Sequence, residues 1–580
     1  MLRAIATLPL LLMLPFSIWA QNTGIYITNG AGIVTSGASS ILITNGGFVN
    51  NGVFTASSEN NFIMNGNSAQ IIGGTASTTF NNLTVNNTAG VTVDGQMASV
   101  RNILLCNGLL NANGKLTLLS TADGTALIDG SGTGEVTGNL TMERYLPSAF
   151  GYKYFSSPFQ TSAVSEFSDE SIEAIYRHDE NRLEGGLPAS GWIDYYSDAN
   201  ILVPLSGYAI NFGFDTTETT VDVTGVVNNG FMSVPVYNND HIYTRGINLC
   251  GNPYPSPVDW NKIKLLNTNV DDAVYYFKSS STDQYDGVYC TYINGVSSDG
   301  VASNIIASMQ GFFVHVTNGA FPVSGTLAMN NSVRTTGQPV FYAKSASKAS
   351  GQLIRLSATY ADTPNNADFA VVYFDDKATE NFDGTLDALK LMNSDSQVPS
   401  IYSVTADAKN LSINGLPVAT GTNRTIPLGL KLVRDGNIVF RTTELGSDLQ
   451  YMKVTLTDNL TGTIHDLLPG KEYSVFLTEG VYSGRFFINL SETLTDVPAI
   501  SSGEVFTVFA SNGILKTEIN AISGDKGALT IYNLSGQALL VKNVYATGHY
   551  ELTTNLTNGV YIVSYYTGTT RNSKKVVIMN

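Results

Sequence analysis

The chain has 580 residues, of which 13% are charged and 10% aromatic, and it contains 55 glycines. This composition favours β structure with tight turns and argues against a helical bundle. The formal net charge is −16, so a phosphate backbone would repel the chain and no nucleic-acid partner is expected.

Residues 1–20 have the features of a secretory signal peptide. Arg3 supplies the positive charge, Leu8–Ile18 form a short apolar core, and Ala20 is a small residue before the expected cleavage at Gln21. The apolar run is too short to span a bilayer, and no later segment is long and apolar enough to do so. We therefore expect an exported protein that is not an integral membrane protein.

Residues 21–142 predict a β-solenoid. Short apolar runs follow one another closely, and several end at turns such as Asn65-Gly66, Asn107-Gly108 or Asn113-Gly114. In a solenoid each coil buries its apolar face on the next, and Asn and Thr side chains can form ladders along the stack. A glycine-rich β-sandwich is the alternative, and the recurring apolar residues argue against disorder.

Two further β-sandwich regions are predicted, over residues 143–342 and 352–497. The first is rich in aromatic residues and has long loops between its strand-like runs. In this region three prolines fix the backbone of Asn252–Pro257, which is expected to be a rigid loop. Small and polar residues predict linkers at Ala343–Gly351 and Ser491–Gly503.

Residues 504–580 predict a small Ig-like β-sandwich. β-branched and aromatic runs are separated by turns that contain glycine. These turns are Ser511-Asn512-Gly513, Ser535-Gly536 and Thr557-Asn558-Gly559. The predicted fold class is thus all-β, with a solenoid-like region, central sandwiches and a C-terminal sandwich.

The motifs of this last segment resemble a known sorting signal. SNG, IYNLSGQ, LTNGVYIV and KKVVI follow one another as in the type A C-terminal sorting domain of the type IX secretion system of Bacteroidota. The resemblance implies delivery by the type IX machinery, removal of the tail, and a protein that is secreted or held on the outer cell surface. The positions that match the motif are Asn533, Gly536, Gly559, Val560, Tyr561, Lys574 and Lys575.

The region upstream resembles the large extracellular β-rich cargo often found before such sorting domains. The resemblance is carried by YFSSPF, GINLCGNPYPSPVDW, QGFFVHV and Arg334. Because members of that group are mostly uncharacterised, it implies location and architecture but no activity.

Residues that carry catalytic chemistry form no recognisable constellation in the sequence. The five histidines are scattered, and there is no HExxH, CxxC, GxSxG or P-loop motif. A glycosidase needs only two carboxylates, but no acidic pair stands out. We therefore predict a protein that is not an enzyme, without catalytic, cofactor-binding or metal-binding residues.

Other candidate features have an ordinary structural interpretation. Cys250 and Cys290 could form a disulfide, but three cysteines without short spacing favour buried thiols, with Cys106 the third. The acidic loops Asp283–Gly287 and Asp375–Gly384 could offer oxygen ligands to calcium, but solvated turns are favoured because their spacing does not match an EF-hand.

Large aromatic residues in the middle of the chain could form a sugar-binding platform, since a flat ring packs on the apolar face of a pyranose. Core packing is the alternative and the favoured interpretation. The candidates are Trp192, Tyr195, Tyr196, Tyr254, Trp260, Tyr285 and Tyr289.

Together these patterns predict a non-enzymatic, exported, multidomain β protein with an adhesive or ligand-binding role. Glycans and extracellular proteins are candidate partners, besides the secretion machinery. The alternatives are a carbohydrate-active enzyme or a carbohydrate-binding component of one, and a structural surface-layer protein built on the solenoid.

Deletion of residues 504–580 should leave the rest of the chain in the periplasm, because the resemblance implies that the tail carries the export signal. Fractionation and immunoblotting would measure this, with the full-length chain carrying the same epitope tag as control. Normal surface display of the truncated protein would contradict the sorting role.

Overall fold

The computed structural model consists almost entirely of β-strands, and its few helical turns are short. The predicted all-β fold class is therefore confirmed. Among the described residues no helix is long and apolar enough to cross a membrane. The structure describes residues 24–168, 170–337, 352–418, 423–449, 452–492, 506–511, 514–520, 527–544, 547–566 and 571–578.

Some of the sequence predictions lie outside the described residues. These are the signal peptide, with its cleavage site at Ala20 and Gln21, and the linker at Ala343–Gly351. Most of the predicted linker at Ser491–Gly503 lies outside them too. The chain divides into two compact units, Met1–Ser491 and Glu492–Asn580.

The first region is a β-solenoid, as predicted. Its strands are Ile25–Ile27 (β1), Gly32–Val34 (β2), Ser40–Thr44 (β3), Phe48–Asn50 (β4), Val53–Thr55 (β5), Asn61–Asn65 (β6), Gln70–Gly73 (β7), Thr78–Val85 (β8), Val91–Val93 (β9), Ala98–Cys106 (β10), Leu109–Asn111 (β11), Leu116–Leu118 (β12), Ser120–Thr121 (β13), Gly124–Thr125 (β14), Leu127–Ile128 (β15), Glu135–Thr137 (β16) and Leu140–Leu146 (β17). Two parallel stacks have the orders β1-β4-β7-β9-β11-β16 and β3-β6-β8-β10-β12-β17.

Stacked side chains hold these coils together. The rings of Phe48 and Phe80 lie 4.8 and 4.7 Å from the ring of Phe62, and all three side chains are fully buried. On the outside, the Asn102 amide donates to Asn82 at 2.8 Å and the Asn82 amide donates to Asn61 at 3.0 Å. The ladder of asparagines expected from the sequence is therefore present.

The middle region contains several small antiparallel sheets and the α-helix Trp260–Ile263. Strand β17 pairs along its whole length with the strand Thr219–Gly225 (β24) and so runs across the domain boundary predicted at residues 142 and 143. The predicted limits of the domains stay predictions. The strands are Tyr152–Phe155 (β18), Ala174–His178 (β19), Leu183–Glu184 (β20), Leu187–Pro188 (β21), Trp192–Asp194 (β22), Tyr208–Asn211 (β23), Thr219–Gly225 (β24), Met232–Asn238 (β25), Ile247–Gly251 (β26), Val258–Asp259 (β27), Val274–Ser279 (β28), Gly287–Ile293 (β29), Val296–Ser297 (β30), Ile305–Ile306 (β31), Gly311–His315 (β32) and Val323–Met329 (β33).

Short 3₁₀ turns occur in the middle region and in the third region. They are Val164–Phe167, Lys264–Leu266, Asn331–Val333 and Ser447–Leu449.

Arg334 joins the middle region to the solenoid. Its guanidinium donates to Ser256 Oγ at 2.7 Å, within the proline-rich loop, and to the carbonyl of Ile128 at 2.5 Å, in the solenoid. It also lies 5.3 Å from the centre of the Tyr254 ring. Burial lowers the pKa of Arg334 to about 10, which leaves the side chain charged at neutral pH.

The third region is one eleven-stranded sheet. Its strands are Leu353–Tyr360 (β34), Asp368–Phe374 (β35), Ala388–Leu389 (β36), Ser400–Val404 (β37), Asn410–Leu416 (β38), Arg424–Leu432 (β39), Gly436–Leu445 (β40), Met452–Asp458 (β41), Thr463–Asp466 (β42), Glu472–Leu477 (β43) and Gly480–Glu492 (β44). They have the order β42-β41-β44-β39-β37-β38-β35-β34-β40-β43, and β36 pairs with β38. It packs against the middle region through a shared cluster of buried residues that includes Tyr275, Phe277, Phe313, Val371 and Tyr373.

The C-terminal unit is a small sandwich of a three-stranded and a four-stranded antiparallel sheet. Its strands are Phe506–Ser511 (β45), Ile514–Asn520 (β46), Gly527–Tyr532 (β47), Ala538–Val544 (β48), Thr547–Thr553 (β49), Gly559–Tyr566 (β50) and Arg571–Ile578 (β51). The two sheets have the orders β45-β46-β49 and β48-β47-β50-β51. Phe506, Leu515, Leu529 and Tyr565 belong to its core. This agrees with the sandwich predicted for the tail.

Cys106, Cys250 and Cys290 are buried free thiols, which is the interpretation that the sequence favoured. Burial raises the pKa of Cys250 to about 12. The thiol is therefore protonated and unreactive at neutral pH.

Substitution of Phe62 by Ala should destabilise the solenoid by about 3–5 kcal/mol, since it opens a cavity between two stacked rings. Hydrogen exchange of the core amides of the solenoid would measure the free energy of opening. Leu42→Ala is the control because Leu42 is 58% exposed, and it should change that free energy by no more than about 0.5 kcal/mol. Equal effects of the two substitutions would contradict the packing described here.

Candidate functional site

A cavity of about 620 Å³ lies between the middle and third regions of the first unit. This volume is typical of a site for a small molecule or for a few residues of a polymer. Half-buried or buried rings of His178, Trp192, Tyr289 and Phe313 form one wall, and we call this space the aromatic cavity.

Strand pairing and ring contacts fix this wall. Trp192 on β22 is paired with His178 on β19, and their ring centres lie 5.1 Å apart. The ring of Phe313 lies 6.2 Å from that of Trp192 and 6.1 Å from that of Tyr289. The backbone N–H of Tyr289 donates to Asn393 Oδ1 at 3.2 Å, which ties the wall to the third region.

A short loop borders the cavity, and we call Asn238–Gly246 the binding loop. Glu180 is buried beneath it and accepts hydrogen bonds from the backbone N–H of Asn239 at 2.9 Å and the hydroxyl of Thr244 at 3.3 Å. The Glu180 carboxylate also accepts from the Asn239 amide. Since hydrogen bonds to a charged group are strong, one carboxylate holds both ends of the loop.

Two residues of the binding loop have left-handed backbone conformations. The φ angles of Asp240 and Arg245 are 56° and 47°, which costs of order 1–3 kcal/mol for a residue other than glycine. The loop nevertheless leaves Ile242 and Tyr243 64% and 67% exposed. A strained loop that presents apolar side chains to solvent is a common feature of ligand-binding sites.

Three histidines that are scattered in the sequence line this one cavity. His241 Nδ1 lies 3.1 Å from the carbonyl of Glu180, and buried His315 Nδ1 lies 2.5 Å from Asp271 Oδ2. His178 Nδ1 is buried without a hydrogen-bond partner among the described residues. Burial lowers the pKa of His178 to about 4, so its ring is neutral at physiological pH.

The charged groups of the cavity differ in how well they are paired. The ammonium group of Lys390 is buried and lies 2.6 Å from both carboxylate oxygens of Asp368. Arg245, Lys409 and Asp240 are exposed and line the cavity as well. Among the described residues, no group of His, Cys, Asp and Glu has an arrangement that could hold a metal ion.

The structure separates the predicted aromatic candidates into three groups. Trp192 and Tyr289 meet in the aromatic cavity. The fully buried Tyr254 and Trp260 belong to the core, so a sugar-binding role for them is wrong. The remaining candidates lie outside the lining of the cavity, partly or largely exposed: Tyr195, Tyr196 and Tyr285.

The two acidic loops have the hydrogen bonds of ordinary turns. Asp283 Oδ1 accepts from the backbone N–H of Tyr285, and Asp375 Oδ1 accepts from that of Lys377, each at 2.9 Å. This agrees with the interpretation of both loops as solvated turns, which the sequence favoured.

The proposed sorting motif occupies one turn and two adjacent strands of the C-terminal unit. Asn533 Oδ1 accepts from the backbone N–H of Gln537 at 2.9 Å, and Gly536 allows the turn with a φ of 83°. Gly559, Val560 and Tyr561 begin β50, where the Tyr561 hydroxyl donates to the carbonyl of Thr557 at 2.8 Å. The last strand, β51, includes Lys574 and Lys575.

The neutral state of His178 predicts a pH dependence of stability. The unfolded residue has a pKa of about 6.5, so between about pH 6.5 and about pH 4 the unfolded chain binds more protons. Stability should therefore fall as the pH is lowered through this range. Calorimetry of His178→Phe between about pH 7 and about pH 4.5 should show a smaller decrease in Tm than the unmodified protein.

His465→Phe is the control for loss of a histidine elsewhere in the same unit, because His465 lies outside the aromatic cavity. The same decrease in the His178 variant and the unmodified protein would contradict the burial of a neutral ring.

Family models match both the C-terminal segment and the region before it. A family model described as "Secretion system C-terminal sorting domain" matches residues 511–579. This confirms the predicted type IX sorting domain, so the protein is secreted or located at the outer cell surface and the secretion machinery is its partner in export.

No curated protein matches the chain. A solved structure titled "Biofilm associated protein - BSP domain" is 9% identical, with a TM-score of 0.15; the match covers 76% of this chain and 63% of that one. The chain thus spans less than two thirds of that structure, and so low a TM-score supports no conclusion about fold or function.

A second family model, "Domain of unknown function (DUF8693)", matches residues 44–490, which include the solenoid from the end of its third strand onward and all of the aromatic cavity. Because this match spans most of the 580 residues, the chain belongs to the family described as a domain of unknown function, DUF8693.

Proposed function

We propose that this exported protein is a non-enzymatic binding protein that takes up an extracellular ligand in its aromatic cavity, in an adhesive or ligand-binding role. The observation that carries the proposal is the combination of a half-buried aromatic wall with the binding loop that Glu180 fixes. Glycans and extracellular proteins are the candidate ligands.

The rigidity of the site supports binding. Since Glu180 already orders the loop, little conformational entropy is lost when a ligand arrives. Aromatic side chains such as Trp192 and Tyr243 offer a large contact area with few rotatable bonds, which is why they dominate the binding energy of many interfaces.

The placement of the acidic groups favours binding over hydrolysis. Glycoside hydrolysis uses two carboxylates on either side of the scissile bond. Among the described residues that line the cavity, Asp240 is the one acidic residue. The nearby carboxylates of Glu180 and Asp271 are buried and engaged with the loop and with His315.

Trp192→Ala and Tyr243→Ala should each weaken ligand binding by at least about tenfold, because each removes an aromatic contact worth roughly 1.4 kcal/mol or more. The mature protein would be screened against arrays of glycans and extracellular proteins, and the affinity for each hit then measured by biolayer interferometry. Tyr196→Ala is the control, since Tyr196 is 46% exposed but lies outside the cavity.

Hits that bind the three variants and the unmodified protein equally would place binding elsewhere and contradict the proposal. Turnover of a glycan hit, detected as released reducing ends, would favour the alternative of a carbohydrate-active enzyme.

A further inference from the structure

Two positively charged side chains of the aromatic cavity have no ion-pair partner among the described residues. The ammonium group of Lys390 is paired with Asp368, and His315 Nδ1 lies 2.5 Å from Asp271 Oδ2. Arg245 and Lys409 also line the cavity, and neither forms an ion pair with a described residue, while Lys409 interacts electrostatically with the nearby Asp407. Asp240 is the opposing charge in the lining.

The backbone of Arg245 is fixed while much of its guanidinium stays available. Its N–H donates to the carbonyl of His241 at 2.9 Å, and its Nε donates to the carbonyl of Ile242 at 3.2 Å. The two terminal nitrogens have no hydrogen-bond partner among the described residues. A guanidinium in this state can form a bidentate contact with a carboxylate or a sulfate.

Lys409 supplies the second cation from the third region. Its backbone N–H donates to Thr405 Oγ1 at 2.9 Å, so the start of the side chain is fixed. The nearby acid, Asp407, already accepts from Thr405 Oγ1 at 2.6 Å and from the N–H of Phe382 at 3.0 Å. Next to Lys409, the side-chain amide of Asn410 makes no hydrogen bond with a described residue and can bind a hydroxyl.

The charge of these cations is opposite in sign to the net charge of the whole protein. A chain with a formal net charge of −16 repels anions at long range, so an anion would bind only where local cations outweigh that repulsion. The same cavity has the rings of Trp192 and Tyr289, whose faces can pack on the apolar face of a sugar. The aromatic rings, the Asn410 amide and the two cations together match the chemistry of a saccharide that carries an acidic group.

We propose that the aromatic cavity binds anionic saccharides, with the sugar ring against Trp192 or Tyr289 and the carboxylate or sulfate group held by Arg245 and Lys409. This inference rests on the proposed binding function and specifies its ligand. Carboxylated and sulfated sugars share the required chemistry, and the experiment distinguishes them.

The test compares the binding of the mature protein to pairs of polysaccharides that differ in charge. Polygalacturonate and neutral galactan form the carboxylated pair, and carrageenan and agarose form the sulfated pair. Isothermal calorimetry should show at least tenfold tighter binding of one or both anionic members. The Arg245→Gln, Lys409→Gln double variant should bind the anionic polymer at least tenfold more weakly than the unmodified protein does. Lys453→Gln is the control and should bind like the unmodified protein, because Lys453 is exposed and lies outside the cavity.

Each other result overturns the inference. Equal binding of neutral and anionic polymers that Trp192→Ala abolishes would disprove selection for anions but keep the proposed function. Anionic binding that survives in the double variant would place it outside the cavity. If none of these polymers binds, but an extracellular protein binds and Trp192→Ala abolishes that binding, the saccharide ligand is disproved and the proposed function is kept. If no glycan, protein or polymer binds in any assay, both proposals are disproved. Thermal unfolding of each variant shows that it is folded.

Discussion

Burial of one aromatic face between the middle and third regions is the interaction on which the candidate site depends. Tyr275, Phe277 and Phe313 pack there with Val371 and Tyr373 of the neighbouring sheet. Each fully buried side chain of this size contributes about 1.5–3 kcal/mol relative to exposure. The wall of the aromatic cavity, including Trp192 and Tyr289, lies at the margin of this cluster and is held by it.

Polar contacts then fix the geometry that apolar packing leaves open. The Tyr275 hydroxyl accepts from the N–H of Leu389 at 3.1 Å, and Arg355 donates to the carbonyls of Ser297 and Ser298 at 2.9 and 3.1 Å. Because a buried donor or acceptor without a partner costs free energy, these bonds strongly favour one alignment of the two regions. The two sides of the cavity therefore keep a fixed separation.

The sequence predicts those parts of the structure that depend on neighbouring residues. Close spacing of apolar runs and Asn-Gly turns such as Asn65-Gly66 predicts the solenoid, since each coil meets the next one along the chain. The tail is predicted because its turns and strands lie within one short segment. The buried position of Trp260 agrees with the favoured interpretation of the large aromatic residues, but residue type alone does not separate it from Trp192 of the cavity, because aromatic residues occur both in cores and at binding sites.

The aromatic cavity could not be predicted, because its residues come from several distant segments. Trp192, Tyr243, Phe313 and Lys409 are far apart in the chain and meet only through the packing of separate sheets and loops. The role of Glu180 has no local signal either, since its partners Asn239 and Thr244 lie about sixty residues away. Two of the aromatic candidates were identified by type, but their neighbours follow from tertiary structure alone.

The parallel stacking of the solenoid makes its length adjustable during evolution. Phe48, Ile72 and Val93 occupy equivalent places in successive coils, and each coil contacts mainly the ones directly before and after it. Gain or loss of one coil of about twenty residues would lengthen or shorten this region by about 4.8 Å. The connection from β17 to β24 would stay the same, so the solenoid can act as a spacer whose size varies independently of the cavity.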